Sequence, residues 1–145
     1  MLASFNLSEK VVHSESENEY VVLPSDSALI MENFSRQEEC WNNEDLACYV
    51  EAYHPKKQVQ TISRAGVTKG KKAVLDQYQR YYPSGRMGHL HFDEIELKRI
   101  SEEYYYVVGR FNLKYQTPDT LFQGWFSVLM QRYENKWFMV SDHSS

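Results

Sequence analysis

The polar end of the last predicted strand is where this sequence could first do chemistry. The stretch WFMVSDHSS, residues 137–145, changes from large apolar side chains to Asp142, His143 and two serines. An imidazole has an unperturbed pKa close to neutrality, so His143 could act as a general base or as a donor that anchors a ligand. The alternative is a hydrogen-bonded histidine at a solvated strand end. We take His143 as the candidate catalytic residue.

The turns between the last three strands predict which side chains lie side by side. If residues 134–135 form a two-residue hairpin loop, Ser127 lies opposite Asp142. If residues 117–120 form a four-residue loop, Arg110 lies opposite Ser127. Because side chains alternate between the two faces of a sheet, we expect Arg110, Ser127 and Asp142 to share one face.

This register separates Asp142 from His143. The two side chains are expected on opposite faces, so they should not form an acid–histidine pair unless the strand bulges. A slip of one residue would exchange the two faces. Arg110 and Asp142 could instead grip a polar group of a ligand, although a cross-strand pair of this kind is more often structural.

Aromatic side chains supply the other candidates for a ligand-binding pocket. Aromatic residues make up 14% of the chain, and each buried tyrosine hydroxyl requires a hydrogen-bond partner. A pocket with an aromatic lining and a few ionisable groups suits an amphipathic small molecule. The candidate ligand-binding residues are Trp41, Tyr49, Tyr53, His91, Arg110, Trp125 and Asp142. Asp45, which could also line the pocket mouth, is better explained as an acid in the first turn of a helix.

No motif in the sequence indicates a metal or a cofactor. His89 and His91 are two residues apart on one strand, which metal ligation permits, but no third ligand has a fixed place by spacing. There is no glycine-rich phosphate loop, nucleophile elbow or paired-cysteine zinc pattern. Cys40 and Cys48 are too few for a disulfide scaffold, so we expect two small buried side chains.

Composition excludes several classes of partner. The chain has 145 residues, enough for one domain, and a formal net charge of −4. Since it contains no basic run, we expect neither nucleic acid nor an anionic membrane as a partner. No apolar stretch is long enough to span a bilayer, and nothing at the start resembles a secretory signal, so a cytoplasmic location is expected.

Hydrophobic periodicity predicts helices first and strands afterwards. Residues 1–24 are expected to form an arm that is partly disordered, with Tyr20 to Leu23 docking as a short edge strand, and residues 25–145 to form the domain. Three helices are predicted. The first starts at Ser25, Asp26 or Ser27, and the second is capped by Asn43 and stops at His54-Pro55. The third starts at Thr68 or Gly70 and ends before Pro83. Strands are predicted over 59–63, 89–99, 103–115, 121–133 and 136–143. This order indicates an α+β fold, with three N-terminal helices on one face of a strongly curved antiparallel sheet.

The strands are apolar on both faces, which predicts a covered outer surface. Tyr105 and Val107 would lie on one face, and Tyr106 and Val108 on the other. A sheet with one solvated face instead shows apolar residues alternating with polar ones. The helices can cover only one face. A second copy of the chain is the simplest cover for the other, so we expect a homodimer through the sheet.

Several segments together resemble the nuclear transport factor 2-like superfamily, the cone-shaped, cystatin-like α+β fold shared by ketosteroid isomerases and the SnoaL-like polyketide cyclases. CWNNEDLACYVEAYHP (40–55) is similar to its junction of the first two helices, and VTKGKKAVLDQYQRYY (67–82) to its third helix. YYYVVGRFNL (104–113), GWFSV (124–128) and KWFMVSDHSS (136–145) resemble its last three strands. The pattern is most similar to a bacterial branch of unknown function, related to the association domain of calcium/calmodulin-dependent kinase, which also ends in Trp and then His-x-Ser.

The resemblance implies a pocket between helices and sheet and a dimer through the sheet, but no single chemistry, because fold and function separate widely in this superfamily. The acidic residues of ketosteroid isomerases have no secure counterpart here, so that activity is not implied. Two hypotheses follow. One is a pocket for an amphipathic small molecule with acid/base chemistry by His143; the other is a non-enzymatic association module whose sheet is the functional surface.

Overall fold

The computed structural model describes residues 10–13 and 20–145. Strands β1 (Lys10–His13) and β2 (Tyr20–Leu23) pair antiparallel as a separate two-stranded sheet. The strand predicted over Tyr20 to Leu23 is therefore present, but it pairs with β1 and is not an edge of the main sheet. The prediction of a partly disordered arm falls largely on residues 1–9 and 14–19, which lie outside the described residues.

The main sheet has six strands in the order β4-β3-β8-β7-β6-β5. They are β3 (Gln60–Ser63), β4 (Gly66–Lys69), β5 (His89–Arg99), β6 (Tyr104–Gln116), β7 (Asp119–Tyr133) and β8 (Lys136–Ser144). All neighbouring pairs are antiparallel except β3 with β8, which is parallel. The sheet is thus mixed, and β4 is the one of its strands that was not predicted; β1 of the small sheet was not predicted either.

Three helices lie before the long strands, as predicted. Helix α1 (Asp26–Asn42) is capped by Ser25, whose hydroxyl accepts a hydrogen bond from the Ala28 N–H. Helix α3 (Lys71–Tyr81) begins after Gly70. The fold is α+β with N-terminal helices on the sheet, and none of the helices within the described residues has the length and apolar character needed to cross a bilayer.

Helix α2 (Leu46–Tyr49) is shorter than predicted and continues as a 3₁₀ turn over Val50–Ala52. Its cap is Asp45, which accepts from the Cys48 N–H, and not Asn43. Glu44 adopts a φ of 56°, and this left-handed residue reverses the chain before the cap. Asp45, predicted as an acid in the first turn of this helix, is thus its cap.

Cys40 and Cys48 form a disulfide across the corner between α1 and α2, with their Cα atoms 5.5 Å apart. The expectation of two small buried side chains is confirmed for Cys40 only: Cys48 is partly exposed, and the disulfide between them was not predicted. The residues are eight positions apart, and the reversal at Glu44 brings them within bridging distance. Cys40 is buried and Cys48 is partly exposed, so the bond ties the C-terminal end of α1 to α2 at the edge of the core.

Two glycines on the inner face allow aromatic rings to cross between β6 and β7. Gly109 pairs with Phe126, and Gly124 pairs with Phe111. A Cβ on either glycine would overlap the ring of the residue opposite. Phe126 then stacks on Phe34 of α1 at a centroid distance of 5.5 Å, which joins the sheet to the helix layer.

The register of the last strands differs from the prediction at two places. Residues 117–118 form the β6–β7 turn, so Arg110 lies opposite Trp125; this offset of two residues leaves the predicted faces unchanged. Between β7 and β8 the pairing shifts by one residue at Leu129/Met130. Beyond that bulge His143, and not Asp142, lies opposite Ser127. The shift exchanges the predicted faces of Asp142 and His143.

Candidate functional site

An open cleft lies between α3, the β3–β4 turn and the end of β8. Its volume is about 450 Å³. We call it the outer cleft; it is lined by Thr61, Ile62, Ser63, Arg64, Ala65, Gln77, Tyr78, Tyr81, Tyr82, Phe111, Ser144 and Ser145. The lining contains both hydroxyl groups and aromatic rings, so the cleft can contact both polar and apolar parts of a molecule.

A smaller cavity of about 40 Å³ lies beside the outer cleft. We call it the inner cavity; it is lined by Phe34, Gln37, Phe92, Phe111, Phe126, Val128, Met139, Asp142 and Ser144. Phe111 and Ser144 line both spaces, so the cavity and the cleft are neighbours across these two side chains. The inner cavity is apolar except for Gln37, Ser144 and the carboxyl group of Asp142.

Asp142 is the ionisable residue of the inner cavity. The Tyr53 hydroxyl donates a hydrogen bond of 2.9 Å to its Oδ2 atom. Its Oδ1 atom is buried and has no hydrogen-bond partner among the described residues, although the residue as a whole keeps some exposed surface. Burial raises the pKa of the Asp142 carboxyl to about 6, and the Tyr53 hydrogen bond and nearby His143 lower it by less. A carboxyl with this pKa can accept or donate a proton close to neutral pH.

Three tyrosines form a hydroxyl cluster behind Asp142. Tyr53 is fully buried, Tyr49 is nearly so, and the Tyr78 hydroxyl interacts with both by hydrogen bonding. Burial raises the pKa of each of these tyrosines, so their hydroxyls stay protonated. The Tyr53 hydroxyl thus donates to Asp142, and the Tyr49 and Tyr78 hydroxyls are hydrogen-bonded to each other behind it.

Trp41 was predicted to bind the ligand, but it lies in the core and packs against this cluster. It is 2% exposed, and its Nε1 donates to the Gly88 carbonyl at 3.1 Å. Its ring lies 5.2 Å from Tyr49 and 4.9 Å from Tyr82. Trp41 thus holds the tyrosine rings in place and lines neither the cleft nor the inner cavity.

Three other predicted ligand-binding residues lie away from the site. Arg110 forms a two-bond ion pair with Asp93, both contacts 2.8 Å long, and lies over the exposed ring of Trp125. The prediction that Arg110 and Asp142 together bind a polar group of a ligand is therefore wrong, since the two residues lie on opposite faces and each has another partner. His91 is exposed at the start of β5, with its Nδ1 3.3 Å from the carboxylate of Glu38.

His143 is exposed on the outer face, where it pairs with Ser127 on one side and Ile62 on the other. Asp142 and His143 point to opposite faces as expected, but the bulge places the aspartate inside. His143 lines neither the outer cleft nor the inner cavity. Its role as a general base stays a prediction, and the interior position belongs to Asp142.

The structure thus brings together Tyr49, Tyr53 and Asp142 from the predicted set and adds Tyr78 and Gln37. A signal for Gln37 was present: it lies in the stripe Ile30, Phe34, Gln37, Trp41, where a polar residue interrupts helical apolar spacing. All four are buried. Tyr78 lies on α3, and its hydroxyl, like those of Tyr49 and Tyr53, requires a hydrogen-bond partner. No group of three or more potential metal ligands occurs among the described residues.

The chain matches no protein-family model and no curated protein. Among solved structures it is similar to an NTF-2-like protein of unknown function from Shewanella oneidensis MR-1. The identity is 32% and the TM-score 0.77, and the match covers 83% of this chain and 99% of that one. A cystatin-like-fold protein of unknown function from Nostoc punctiforme PCC 73102 has 13% identity and a TM-score of 0.71, over 82% and 89% of the two chains.

ActVI-ORFA from Streptomyces coelicolor has 11% identity and a TM-score of 0.69, over 82% of this chain and 95% of that one. At such identities the likeness to the Nostoc and Streptomyces proteins shows the fold alone. The Shewanella protein is similar enough in sequence, over nearly its whole length, to show the family. This chain belongs to the NTF2-like family.

Proposed function

We propose that the outer cleft and inner cavity bind a small amphipathic molecule and that Asp142 exchanges a proton with it. One observation carries the proposal. Asp142 Oδ1 is buried without a partner among the described residues, in a cavity whose other polar side chains are Gln37 and Ser144, while Oδ2 is held by Tyr53. An unpaired buried carboxyl oxygen is costly, and a polar group of a bound molecule would satisfy it.

The chemistry follows from the ionisation of this carboxyl. At pH 7 a group with a pKa of about 6 is mostly ionised, so Oδ1 can accept a proton from a hydroxyl or from an acidic carbon of the bound molecule. The Tyr53 bond fixes the plane of the carboxyl. Gln37, 3% exposed in the same cavity, can hydrogen-bond a second polar group beside the reacting one.

Binding can be tested with N-phenyl-1-naphthylamine, a neutral aromatic molecule whose fluorescence rises in apolar surroundings. We expect saturable binding, with amide NMR shifts concentrated at cleft residues such as Ser63, Ala65 and Ser144. Ser144→Leu should block the passage between cleft and cavity and weaken binding. His143→Ala, one residue away on the other face, is the matched control and should bind like the parent. Shifts confined to the outer face around Trp125 would overturn the proposal.

We also propose that the outer face of the sheet joins two copies of the chain. The observation that favours this is the exposure of large side chains there: Trp125 is 53% and Tyr106 is 41% exposed in a single chain. Val108 and Leu129 lie beside them on the same face. Exposed apolar patches of this kind mark interaction surfaces.

The dimer can be tested by light scattering, where the parent should have twice the 17.2 kDa mass of one chain. Trp125→Arg should shift it to the monomer mass, because a charge on each copy would be buried at the contact. Phe122→Arg, at an exposed residue of the same strand whose side chain faces the opposite side of the sheet, is the matched control. A parent that remains monomeric at tens of micromolar would exclude the association module.

A further inference from the structure

We propose that the molecule bound in the outer cleft is an amphipathic organic anion and that Arg64 recognises its acidic group. This inference rests on the proposed function, because it names the class of molecule for the same site. Arg64 supplies the charged side chain of the cleft lining; the other lining residues contribute hydroxyls, one amide, aromatic rings and aliphatic groups. No Asp or Glu side chain is among these lining residues, and the carboxyl group of Asp142 lies in the neighbouring inner cavity.

Arg64 is available for such a contact. It lies in the tight turn between β3 and β4, is exposed, and forms no ion pair or hydrogen bond through its side chain with any other described residue. Arg110 and Arg132, by contrast, are paired with Asp93 and Asp26. A guanidinium presents a planar fork of donors that matches a carboxylate or sulfonate with two parallel hydrogen bonds.

The strand register gives the approximate length of the molecule. Thr61 lies opposite Asp142 in the β3–β8 pair, and Arg64 comes three residues later. At a rise of about 3.3 Å per residue, the two recognition points are about 10 Å apart along the strand. The acidic group would therefore lie at the far end of the molecule from the polar group that meets Asp142. Phe111 and Tyr82 would contact the apolar part between them.

A matched pair of probes tests the inference. 1-Anilinonaphthalene-8-sulfonate is N-phenyl-1-naphthylamine with one added sulfonate, so their affinities differ through the anionic group. At 10 mM salt we expect the anion to bind about fivefold tighter, as is typical of one partly exposed ionic contact, with the preference falling at 150 mM salt. Arg64→Gln should remove the preference without changing the affinity for the neutral probe, and Arg64→Lys should keep part of it.

Arg80→Gln removes the same charge from an exposed position of α3 outside the cleft lining and should leave the preference unchanged. Amide NMR shifts at Ser63 and Ala65 locate the probe in the cleft. Equal affinities of the parent for the two probes, or a preference that persists in Arg64→Gln, would overturn the recognition of an anion while leaving the proposed function intact. Binding of neither probe would overturn both.

Discussion

The Tyr53 hydroxyl group donates a 2.9 Å hydrogen bond to Oδ2 of Asp142, joining the segment after α2 to the final strand. The two residues are 89 positions apart in the sequence. The two oxygens of the carboxyl are therefore not equivalent: Oδ2 accepts from Tyr53, and Oδ1 is buried without a partner among the described residues. This asymmetry leaves one oxygen available to a bound molecule.

Removing the donor should destabilise the fold. Tyr53→Phe keeps the buried ring and loses one hydrogen bond to a charged acceptor, which typically costs about 1.5–3 kcal/mol. It should also raise the pKa of Asp142 further, because the Tyr53 bond lowers it. Urea denaturation measures the first effect. Tyr82→Phe, whose ring is only partly buried, is the control and should cost well under 1 kcal/mol; equal losses in both variants would contradict the account.

Stability should decrease as the pH rises through the range in which Asp142 ionises. Its pKa is raised from 3.8 to about 6 on folding, so the folded state binds the proton more tightly than the unfolded chain. The stabilisation is complete below pH 3.8 and is lost as the pH passes 6. Two pKa units correspond to roughly 3 kcal/mol.

Asp142→Asn removes this titration while keeping a similar shape. The difference in unfolding free energy between the variant and the parent should therefore move in favour of the variant by roughly 3 kcal/mol between pH 4 and pH 7. Denaturant titrations at both pH values measure it. A difference that does not change with pH would mean that the carboxyl is not perturbed by burial.

Adding a methyl group at Gly124 should disturb the inner face. The new Cβ would lie 2.5 Å from both Cε1 of Phe111 and the carbonyl oxygen of Ser145. Overpacking of this kind costs about 1–3 kcal/mol, and moving the Phe111 ring would also change the boundary between cleft and cavity. Thermal unfolding of Gly124→Ala checks the stability. Ser127→Ala, on the outer face of the same strand, should be nearly neutral, so a comparable loss there would contradict the proposed cause.

The Cys40–Cys48 disulfide should contribute about 2–3 kcal/mol, the chain-entropy value for a loop of this length. Unfolding with and without a thiol reductant measures this contribution in the parent. The double variant Cys40→Ala, Cys48→Ala should be insensitive to the reductant. A parent whose stability is also insensitive would show that the bond contributes nothing.

The long strands could be predicted from sequence because local signals determine them, and Ser25 is one of the three residues predicted to begin α1. Alternating apolar residues gave β5 to β8 to within three residues at each end. Strand β4 could not be found in this way, since its four residues, GVTK, contain little apolar pattern. Helix α2 was correctly predicted to be a helix, but its cap is Asp45 and not the predicted Asn43, because the left-handed Glu44 separates Asn43 from the helix.

The site was predicted less well because it depends on one bulge. Nothing local in β7 or β8 indicates that the pairing shifts by one residue at Leu129/Met130, yet this shift decides which of Asp142 and His143 faces the helices. The partner of Arg110 was missed for a similar reason. Asp93 lies on β5, whose register with β6 had not been considered. Tyr49 and Tyr53 lie beside Asp142, and their helical spacing and hydroxyls are visible in the sequence; their roles as ligand-binding residues stay predictions.

The most direct test of the account is the ionisation of Asp142 itself. Carboxyl ¹³C NMR of protein labelled at aspartate Cγ, assigned by comparison with Asp142→Asn, follows this single group as the pH changes. The account predicts a midpoint near pH 6 in the free protein, and a shifted midpoint once a molecule occupies the inner cavity. A midpoint close to 4, the ordinary value for a solvated aspartate, would contradict it.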